Sequence, residues 1–279
     1  MNANTGNLVS VVIPCYNNYD TIECAIESIK VQTFPNIEII VVDDGSNQVT
    51  KNVLKKLSSH INILIVQENQ GQSTARNRGI EKSQGEFIVT LDADDSFEPS
   101  FIEKAVRMAL DDSTVQMVSC HAKVIYENAS FIYKPKGGTL QNFLFENAAL
   151  GNLLYRKSSW FEIGGYDESM RKGWEDWEFH IRLLKIGGSC KILPETLFTY
   201  NRLQTSTTNL ANQNRLQLTK YIFSKHKELY KEYFEETVDY FLQKIDNLEG
   251  NKNKAFQSLD YKLGKVLMSP LRYIKRKIY

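Results

Sequence analysis

Alternation of apolar, β-branched segments with amphipathic segments over roughly the first ninety residues is the feature that most limits how this chain can fold. A run such as "LVSVVIP" is typical of a strand buried on both faces. The pattern predicts strands, and helices between them. The strands are predicted at 8–14, 37–46, 61–67 and 86–91, and the helices at 21–32 (capped by Thr21), 48–58 and 73–85. Such crossover connections favour an α/β fold with a mostly parallel sheet flanked by helices.

Composition and charge exclude several classes of protein. With a net charge of +1 over 279 residues, no overall field attracts nucleic acid. The four cysteines have neither metal-ligand spacing nor the pattern of a disulfide framework. The N-terminus lacks the features of a signal peptide, and no apolar run is long enough for a membrane-spanning helix. We therefore expect a cytoplasmic protein, with contact at the inner face of the cell membrane left open.

Three acids, Asp92, Asp94 and Asp95, follow the fourth predicted strand in the stretch "VTLDADDSF". In an extended strand, side chains i and i+2 point to the same side, so Asp92 and Asp94 are expected to face one cavity. Carboxylates of this kind suit Mg²⁺ or Mn²⁺, which is usually held together with substrate phosphates. Capping of the next helix by Asp95 or Ser96 is the alternative.

The later part of the chain is less regular. A helix is predicted at 101–110, then a hairpin formed by "VQMVSCHAKVIYE" and "SFIYKPK", then a helix in "GWEDWEFHIRLLKIGG" whose apolar stripe is Trp177, Ile181 and Leu184. From about 210 onward the pattern is helical, with a break at "EGNKNK". Carboxyl ends of parallel strands gather functional residues, and "PCYNN", "DDGS" and "DADD" all lie at such ends.

Five motifs in order, "VSVVIPCYN", "VVDDGS", "NQGQSTARNRGI", "LDADD" and "GWEDWEFHIRL", resemble those of the inverting family 2 glycosyltransferases. The resemblance covers roughly residues 8 to 207 and implies a GT-A fold. It also implies a nucleotide-diphosphate sugar as donor (UDP-sugar favoured), a glycan acceptor and a divalent cation, Mn²⁺ or Mg²⁺. We predict a catalytic domain at 1–208, with a nucleotide-sugar half at about 1–96 and an acceptor half at about 97–208. A C-terminal helical extension is predicted at 209–279.

Carried over residue by residue, the resemblance implies roles for ten positions. It makes Asp176 the general base and places Trp174 and Glu175 at the acceptor. It assigns the metal to Asp94 together with Asp92. The implied nucleotide-binding residues are Pro14, Tyr16, Asn17, Asp44, Arg76 and Asp92.

Other interpretations of these residues stay open. Asp44 could also form an Asx turn with Gly45 and Ser46. Glu175 and Asp176 could also do no more than complement the helix dipole. His180 of the same helix is expected to be structural.

Two segments depart from the family pattern or extend it. Many relatives carry a histidine in a Tyr-Arg-x-His-like motif, whereas "TYNRLQTSTTN" at 199–209 has none, which leaves the third metal ligand open. Residues 261–279 form a basic amphipathic pattern that favours docking on an anionic membrane surface. Packing of this segment on the catalytic domain, or on the partner in a homodimer, is the alternative.

Two functions from other classes are the alternatives to a glycosyltransferase. A sugar-1-phosphate nucleotidylyltransferase should carry a glycine-rich loop after the first strand, but "PCYNNYDT" contains no glycine. A non-catalytic glycan- or nucleotide-binding protein would tolerate loss of the acids, and this chain retains Asp44, Asp92, Asp94 and Asp176. A dinucleotide-binding dehydrogenase is disfavoured because G-x-G-x-x-G is missing.

Overall fold

The computed structural model describes residues 7–126, 129–201, 211–265 and 267. Within these ranges nine strands form one sheet in the order β3-β2-β1-β4-β8-β6-β9-β5, with β7 paired to β6. The strands are β1 Val9–Cys15, β2 Ile37–Asp44, β3 Ile63–Gln67, β4 Phe87–Thr90, β5 Ser96–Phe97, β6 Val115–Tyr126, β7 Ala129–Tyr133, β8 Leu154–Arg156 and β9 Ser189–Asn201.

The helices flank this sheet or follow it along the chain. They are α1 Ile22–Lys30, α2 Gln48–Lys56, α3 Gln72–Lys82, α4 Phe101–Asp111, α5 Leu140–Phe143, α6 Lys157–Glu162, α7 Glu175–Lys185, α8 Arg215–Lys225, α9 Lys227–Glu232 and α10 Phe234–Gln257. The predicted strands and helices of the first half are confirmed, with ends shifted by a few residues.

Three local predictions are wrong. Thr21 precedes α1, but its side chain makes no capping hydrogen bond. The break expected at "EGNKNK" is absent because α10 continues through it; one glycine costs a helix only about 1 kcal/mol. The extended conformation expected at Asp92 and Asp94 is absent, because β4 ends at Thr90 and the acids lie in a turn.

The first four strands are parallel, and this brings their carboxyl ends to one edge. β1 lies between β2 and β4, and β3 extends the sheet beyond β2. Every residue of β1 and β4 is buried, as expected for strands covered on both faces. The segments that follow Cys15, Asp44, Gln67 and Thr90 therefore meet at the same edge of the sheet.

The second half joins the first through a short antiparallel strand. β8 pairs with β4 on one side and β6 on the other. The sheet then continues through a long parallel pairing of β6 with β9, whose register shifts between Cys120 and Ala122. The predicted hairpin is confirmed as the antiparallel pair of β6 and β7.

Contacts divide the chain into two compact units, one ending at Ile222 and the other beginning at Phe223. The predicted boundary near 208 and most of the segment 199–209 lie outside the described residues. In the second unit α10 has no buried residue. No helix of the described ranges is long and apolar enough to cross a membrane. Of the amphipathic segment 261–279, only 261–265 and 267 are described, and these are helical.

α3 lies unusually close to the sheet at Gly79. A Cβ added there would come within 2.4 Å of Val12 Cγ1 and 3.2 Å of Val42 Cγ2. Both valines belong to the buried central strands. The absence of a side chain at this position is therefore what lets α3 approach β1 and β2 closely enough to place Arg76.

We predict that Gly79→Ala destabilises the protein although alanine is the better helix former. Overpacking of this kind costs about 1–3 kcal/mol, whereas the gain in helix propensity is about 1 kcal/mol. Urea unfolding measures the change. Glu81→Ala, an exposed change in the same helix, is the control and should stay within about 0.5 kcal/mol of the wild type. Equal stability of the two variants would contradict the close packing.

Candidate active site

The acids after β4 are held in a turn. The backbone N–H of Asp95 donates to the carbonyl of Asp92 at 3.1 Å. Asn152 binds this turn by donating its amide to Asp92 Oδ2 at 3.3 Å and to Asp95 Oδ2 at 3.2 Å. The extended arrangement predicted for Asp92 and Asp94 is therefore wrong, because Ala93 and Asp94 are the central residues of this turn.

Asp95 serves the structure of this turn. Its side chain is buried and accepts from the backbone N–H of Asn201 at 2.9 Å as well as from Asn152. The capping alternative for Asp95 and Ser96 is wrong, because α4 begins after Ser100 and Ser96 lies in β5.

Asp94 differs from its neighbours. Among the described residues, no other residue donates a hydrogen bond to its carboxylate; only its carbonyl is bound, by the Asn201 amide at 2.7 Å. Burial, and then the charge of Asp92, raise the pKa of Asp94 to about 6. Negative charge is thus crowded at a position where a cation would relieve it.

Arg76 is the buried cation of the site. Its guanidinium donates to Asp92 Oδ1 at 2.7 Å and to Glu175 Oε1 at 3.0 Å, and its side chain is only 2% exposed. It also lies 5.3 Å from the centre of the Tyr166 ring. Burial lowers the pKa of Arg76, but the charges of Asp92 and Glu175 outweigh that effect and raise it. Arg76 therefore joins the end of β4 to the start of α7.

Two acids open α7. Burial raises the pKa of Glu175 to about 7, although Arg76 acts in the opposite direction. Burial likewise raises the pKa of Asp176 against the effect of Arg76. The helix dipole alone does not account for these acids, since Glu175 is bound to Arg76 and Asp176 is bound to a loop.

Both carboxylate oxygens of Asp176 accept a hydrogen bond. Oδ1 accepts from the backbone N–H of Trp177 at 2.8 Å, and Oδ2 accepts from the Asn147 amide at 2.8 Å. Gly151 passes so close that a Cβ there would come within 2.9 Å of Oδ2. The carboxylate is thereby held in one orientation at the N-terminus of α7.

Asp44 holds a neighbouring loop. Oδ1 accepts from Gln67 Nε2 at 2.6 Å and from the backbone N–H of Gln70 at 2.8 Å, and Oδ2 accepts from the backbone N–H of Gly71 at 2.9 Å. The Asx turn predicted for Asp44 with Gly45 and Ser46 is wrong, because the backbone N–H of Ser46 donates to Asp43 Oδ1 at 2.9 Å, three residues back along the chain. Asp44 thus fixes the loop that leads into α3.

The segment after β1 lies beside the Asp43 turn. Asn17 has a positive φ of 62°, donates its N–H to Ser46 and accepts from the N–H of Asn47. Tyr16 is 52% exposed, while Pro14 lies within β1. The sheet therefore brings Pro14, Tyr16 and Asn17 to the same edge as Asp44, as the sequence predicts.

The two tryptophans of α7 have different environments. Trp174 precedes the helix with a left-handed φ of 63° and is half-buried. Trp177 is buried, and its indole N–H donates to the Phe143 carbonyl at 2.6 Å. Trp177 is thus a packing residue, while part of Trp174 stays accessible next to Glu175.

Within the described ranges no cluster of three His, Cys, Asp or Glu side chains could hold a metal by itself. Asp92 Oδ1 accepts hydrogen bonds from Gln72 Nε2 at 2.6 Å and from Arg76, and Asp92 Oδ2 accepts one long hydrogen bond from the Asn152 amide. The Asp94 carboxylate and the remaining lone pairs of Asp92 Oδ2 are the groups that could coordinate a cation. One or two carboxylates fit Mg²⁺ or Mn²⁺ when substrate phosphates supply further ligands.

Three amide residues of the site were not predicted from the sequence: Gln72, Asn147 and Asn152. Gln72 and Asn147 each donate to one acid and Asn152 donates to two, but none belongs to a periodic pattern or to a motif that specifies its partner. The loops that carry Asn147 and Asn152 come to the site through the pairing of β8 with β4, whereas Gln72 is the first residue of α3. Nothing in the local sequence could have identified them.

We predict that Arg76→Met lowers the free energy of unfolding by about 3–5 kcal/mol, because it leaves buried Glu175 and Asp92 without their cation. Adding Glu175→Gln should recover part of that loss, as expected for coupled partners. Chemical denaturation of the two single variants and the double variant measures this coupling. Arg107→Met breaks an exposed pair with Glu103 and should cost less than about 1 kcal/mol. Additive effects of Arg76→Met and Glu175→Gln would refute the bridge.

Buried His180 should make stability depend on pH. It is fully buried against Phe143, Phe179 and Asn147, and burial, with Arg76, lowers its pKa to about 3. Because the unfolded value is about 6.5, protons bind the unfolded chain first as the pH falls. Between about pH 7.5 and 5 the free energy of unfolding of the wild type should fall by about 2 kcal/mol more than that of the His180→Asn variant. Urea unfolding of both proteins across this pH range measures the difference. Parallel curves of unfolding free energy against pH for the two proteins would contradict this prediction.

The comparisons with known proteins agree with this architecture. Residues 10–173 match the model of glycosyl transferase family 2. TuaG of Bacillus subtilis, a glycosyltransferase whose name places it in teichuronic acid biosynthesis, is 26% identical over 86% of this chain and 95% of its own. The glycosyltransferase EpsH of the same organism is 34% identical over 54% of this chain and 47% of its own.

Solved structures share the fold at low identity. TarS of S. aureus in complex with UDP-GlcNAc aligns with a TM-score of 0.61 at 21% identity, over 72% of this chain and 60% of that chain. The mannosyltransferase PcManGT from Pyrobaculum calidifontis, in complex with GDP-Man and Mn²⁺, aligns with a TM-score of 0.61 at 19% identity. The alignment covers 80% of this chain and 64% of that chain. The predicted GT-A fold is confirmed. Because the family match spans more than half of the chain, this protein belongs to glycosyl transferase family 2 and is a glycosyltransferase.

Proposed function

We propose that the protein is an inverting enzyme that moves a sugar from a UDP-sugar to a hydroxyl of a glycan acceptor. One observation carries the proposal: Arg76 binds both Asp92 at the end of β4 and Glu175 next to Asp176. Donor-side and acceptor-side carboxylates are thus fixed relative to each other. Such fixed geometry is what a single displacement between two bound substrates requires.

The donor pocket is proposed at the edge formed by Pro14, Tyr16, Asn17 and Asp44. A half-exposed Tyr16 supports this, because an aromatic face is a common stacking surface for a base. The TarS structures with UDP and UDP-GlcNAc support uridine as the base. Asp44 would contact the base with lone pairs left over from its bonds to the 67–71 loop. For Arg76, the contacts support positioning of Asp92 rather than direct contact with the nucleotide.

A divalent cation, Mn²⁺ or Mg²⁺, would be held by Asp94 together with Asp92. The crowded charge at Asp94 supports this, as does Mn²⁺ in the PcManGT complex. When bound, such an ion stabilises the negative charge that develops on the departing diphosphate. Asp95 is bound to the polypeptide on both oxygens and would not take part.

Asp176 is the proposed general base. It would accept the proton of the acceptor hydroxyl as that oxygen attacks the anomeric carbon opposite the leaving group, which inverts the configuration. Burial raises its pKa, which makes it a better proton acceptor than an exposed aspartate. Glu175, held by Arg76, and the accessible part of Trp174 would orient the acceptor.

The acceptor is proposed to be a growing, lipid-linked glycan of the bacterial surface, to which a hexosyl or N-acetylhexosaminyl group is added. The relation to TuaG supports this class, since its name places it in teichuronic acid biosynthesis. The basic amphipathic pattern of 261–279 supports contact with the cytoplasmic face of a membrane.

We predict that Asp176→Asn slows sugar transfer by about 10²–10⁴-fold, because the base is lost, while UDP affinity stays within about twofold. Asp94→Ala should instead abolish the dependence of UDP binding on Mn²⁺. Calorimetric titration with UDP, GDP and dTDP, with and without Mn²⁺, measures binding. UDP release from UDP-glucose and UDP-GlcNAc, with water as the acceptor, measures transfer.

Asp111→Ala is the matched control, because it removes an exposed aspartate at the end of α4. It should change neither measurement. Absence of binding of all three nucleotides to the wild type, with and without Mn²⁺, would overturn the proposed function. A non-catalytic glycan-binding protein would then be the better interpretation.

A further inference from the structure

Asp176 belongs to a chain of three hydrogen-bonded side chains. Asn147, in the loop after α5, donates its amide N–H to Asp176 Oδ2 at 2.8 Å. The amide oxygen of the same residue lies 2.9 Å from His180 Nδ1. Asp176 and His180 are four residues apart on α7, so both face the same side of the helix. Asn147 therefore bridges two side chains of one helix surface.

The direction of the bonds in this chain follows from the chemistry of its members. An ionised carboxylate can only accept, so the nitrogen of the Asn147 amide must face Asp176. The amide oxygen then faces His180, whose Nδ1 must carry the proton. Reversal of the amide would place its oxygen against Asp176 and would be stable only with that carboxyl protonated.

The surroundings of the second ring nitrogen of His180, Nε2, also support a neutral ring with its proton on Nδ1. His180 Nε2 is buried and has no hydrogen-bond partner within the described ranges. A neutral imidazole uses its one proton at Nδ1, whereas an imidazolium would bury a second N–H without an acceptor, which is costly. Burial and Arg76 also lower the pKa of His180 to about 3. His180 is therefore a fixed donor to Asn147.

We infer that Asn147 and His180 are positioning residues that hold Asp176 in its ionised form and in one orientation, ready to accept the proton of the acceptor hydroxyl. This inference rests on the proposed function. His180 sets the orientation of the Asn147 amide, and that amide donates to the charged carboxylate. Gly151 closes the remaining side of Oδ2.

Activity tests the inference through Asn147→Ala. Because a bond to the charged form of Asp176 is lost, its pKa should rise. We expect kcat for UDP release to fall about 10–100-fold and the acidic limb of the pH–rate profile to move to higher pH. KM for the UDP-sugar should stay within about twofold, since the donor side is untouched. A purely structural role would change stability without moving the acidic limb.

Two substitutions at His180 separate donation from packing. His180→Leu fills much of the space but cannot donate, so kcat should fall and the acidic limb should shift as in Asn147→Ala. His180→Asn places an amide near the position of Nδ1 and should restore at least part of kcat. Equal effects of both substitutions on kcat and on the acidic limb would overturn the role of His180.

A spectroscopic readout does not depend on finding the acceptor. In protein labelled with ¹⁵N at histidine, long-range ¹H–¹⁵N spectra at pH 7 should show His180 neutral with its proton on Nδ1. His180→Asn identifies that signal by its loss. A proton on Nε2, or an imidazolium, would overturn the inference.

Asp176→Asn separates the inference from the proposed function. If Asp176→Asn retains wild-type transfer, the base assignment fails and the inference with it. If Asp176→Asn is inactive while Asn147→Ala keeps the wild-type kcat and acidic limb, only the inference fails.

Discussion

The buried ion pairs of Arg76 hold the candidate site together. A guanidinium that is 2% exposed is expensive to desolvate, and only its two carboxylate partners make its position tolerable. One partner follows a strand of the first half and the other begins a helix of the second. The close approach of α3 at Gly79 brings Arg76 to that junction. Asp92 and Glu175 therefore have a defined separation, which is the preorganisation that catalysis by positioning needs.

Much of the fold could be predicted because its causes are local. Buried strands and amphipathic helices repeat with different periods, and their alternation specifies parallel crossovers. Asp44 and Asp92 could be placed together for the same reason, since carboxyl ends of parallel strands share an edge. The resemblance to the family supplied Asp176, which periodicity alone would have assigned to an ordinary helix start.

The rest depends on contacts between residues far apart in the sequence. Asn152 binds the Asp92–Asp95 turn only because β8 pairs with β4, and Asn147 reaches Asp176 from a loop without periodicity. Local propensity predicts an extended conformation at Asp92 and Asp94, because it carries no information on the distant residues Asn152 and Asn201, which hold this segment in a turn. The polar segment around Gly250 favours a helix end in the sequence, but the modest cost of one glycine in a helix does not interrupt α10.

The pairing of β8 with β4 also affects how such a protein could be divided or recombined. β4 is interior in the complete sheet, but it would be an exposed edge in a fragment that ended after the first half. Three of its four residues are apolar and all four are buried, so that edge would combine apolar side chains with unpaired backbone groups, which promotes aggregation. The segment up to β4 is therefore not an exchangeable module. Fusions that exchange the second half of the chain between relatives would have to keep β8 between β4 and β6, so that neither strand is left with an unpaired edge.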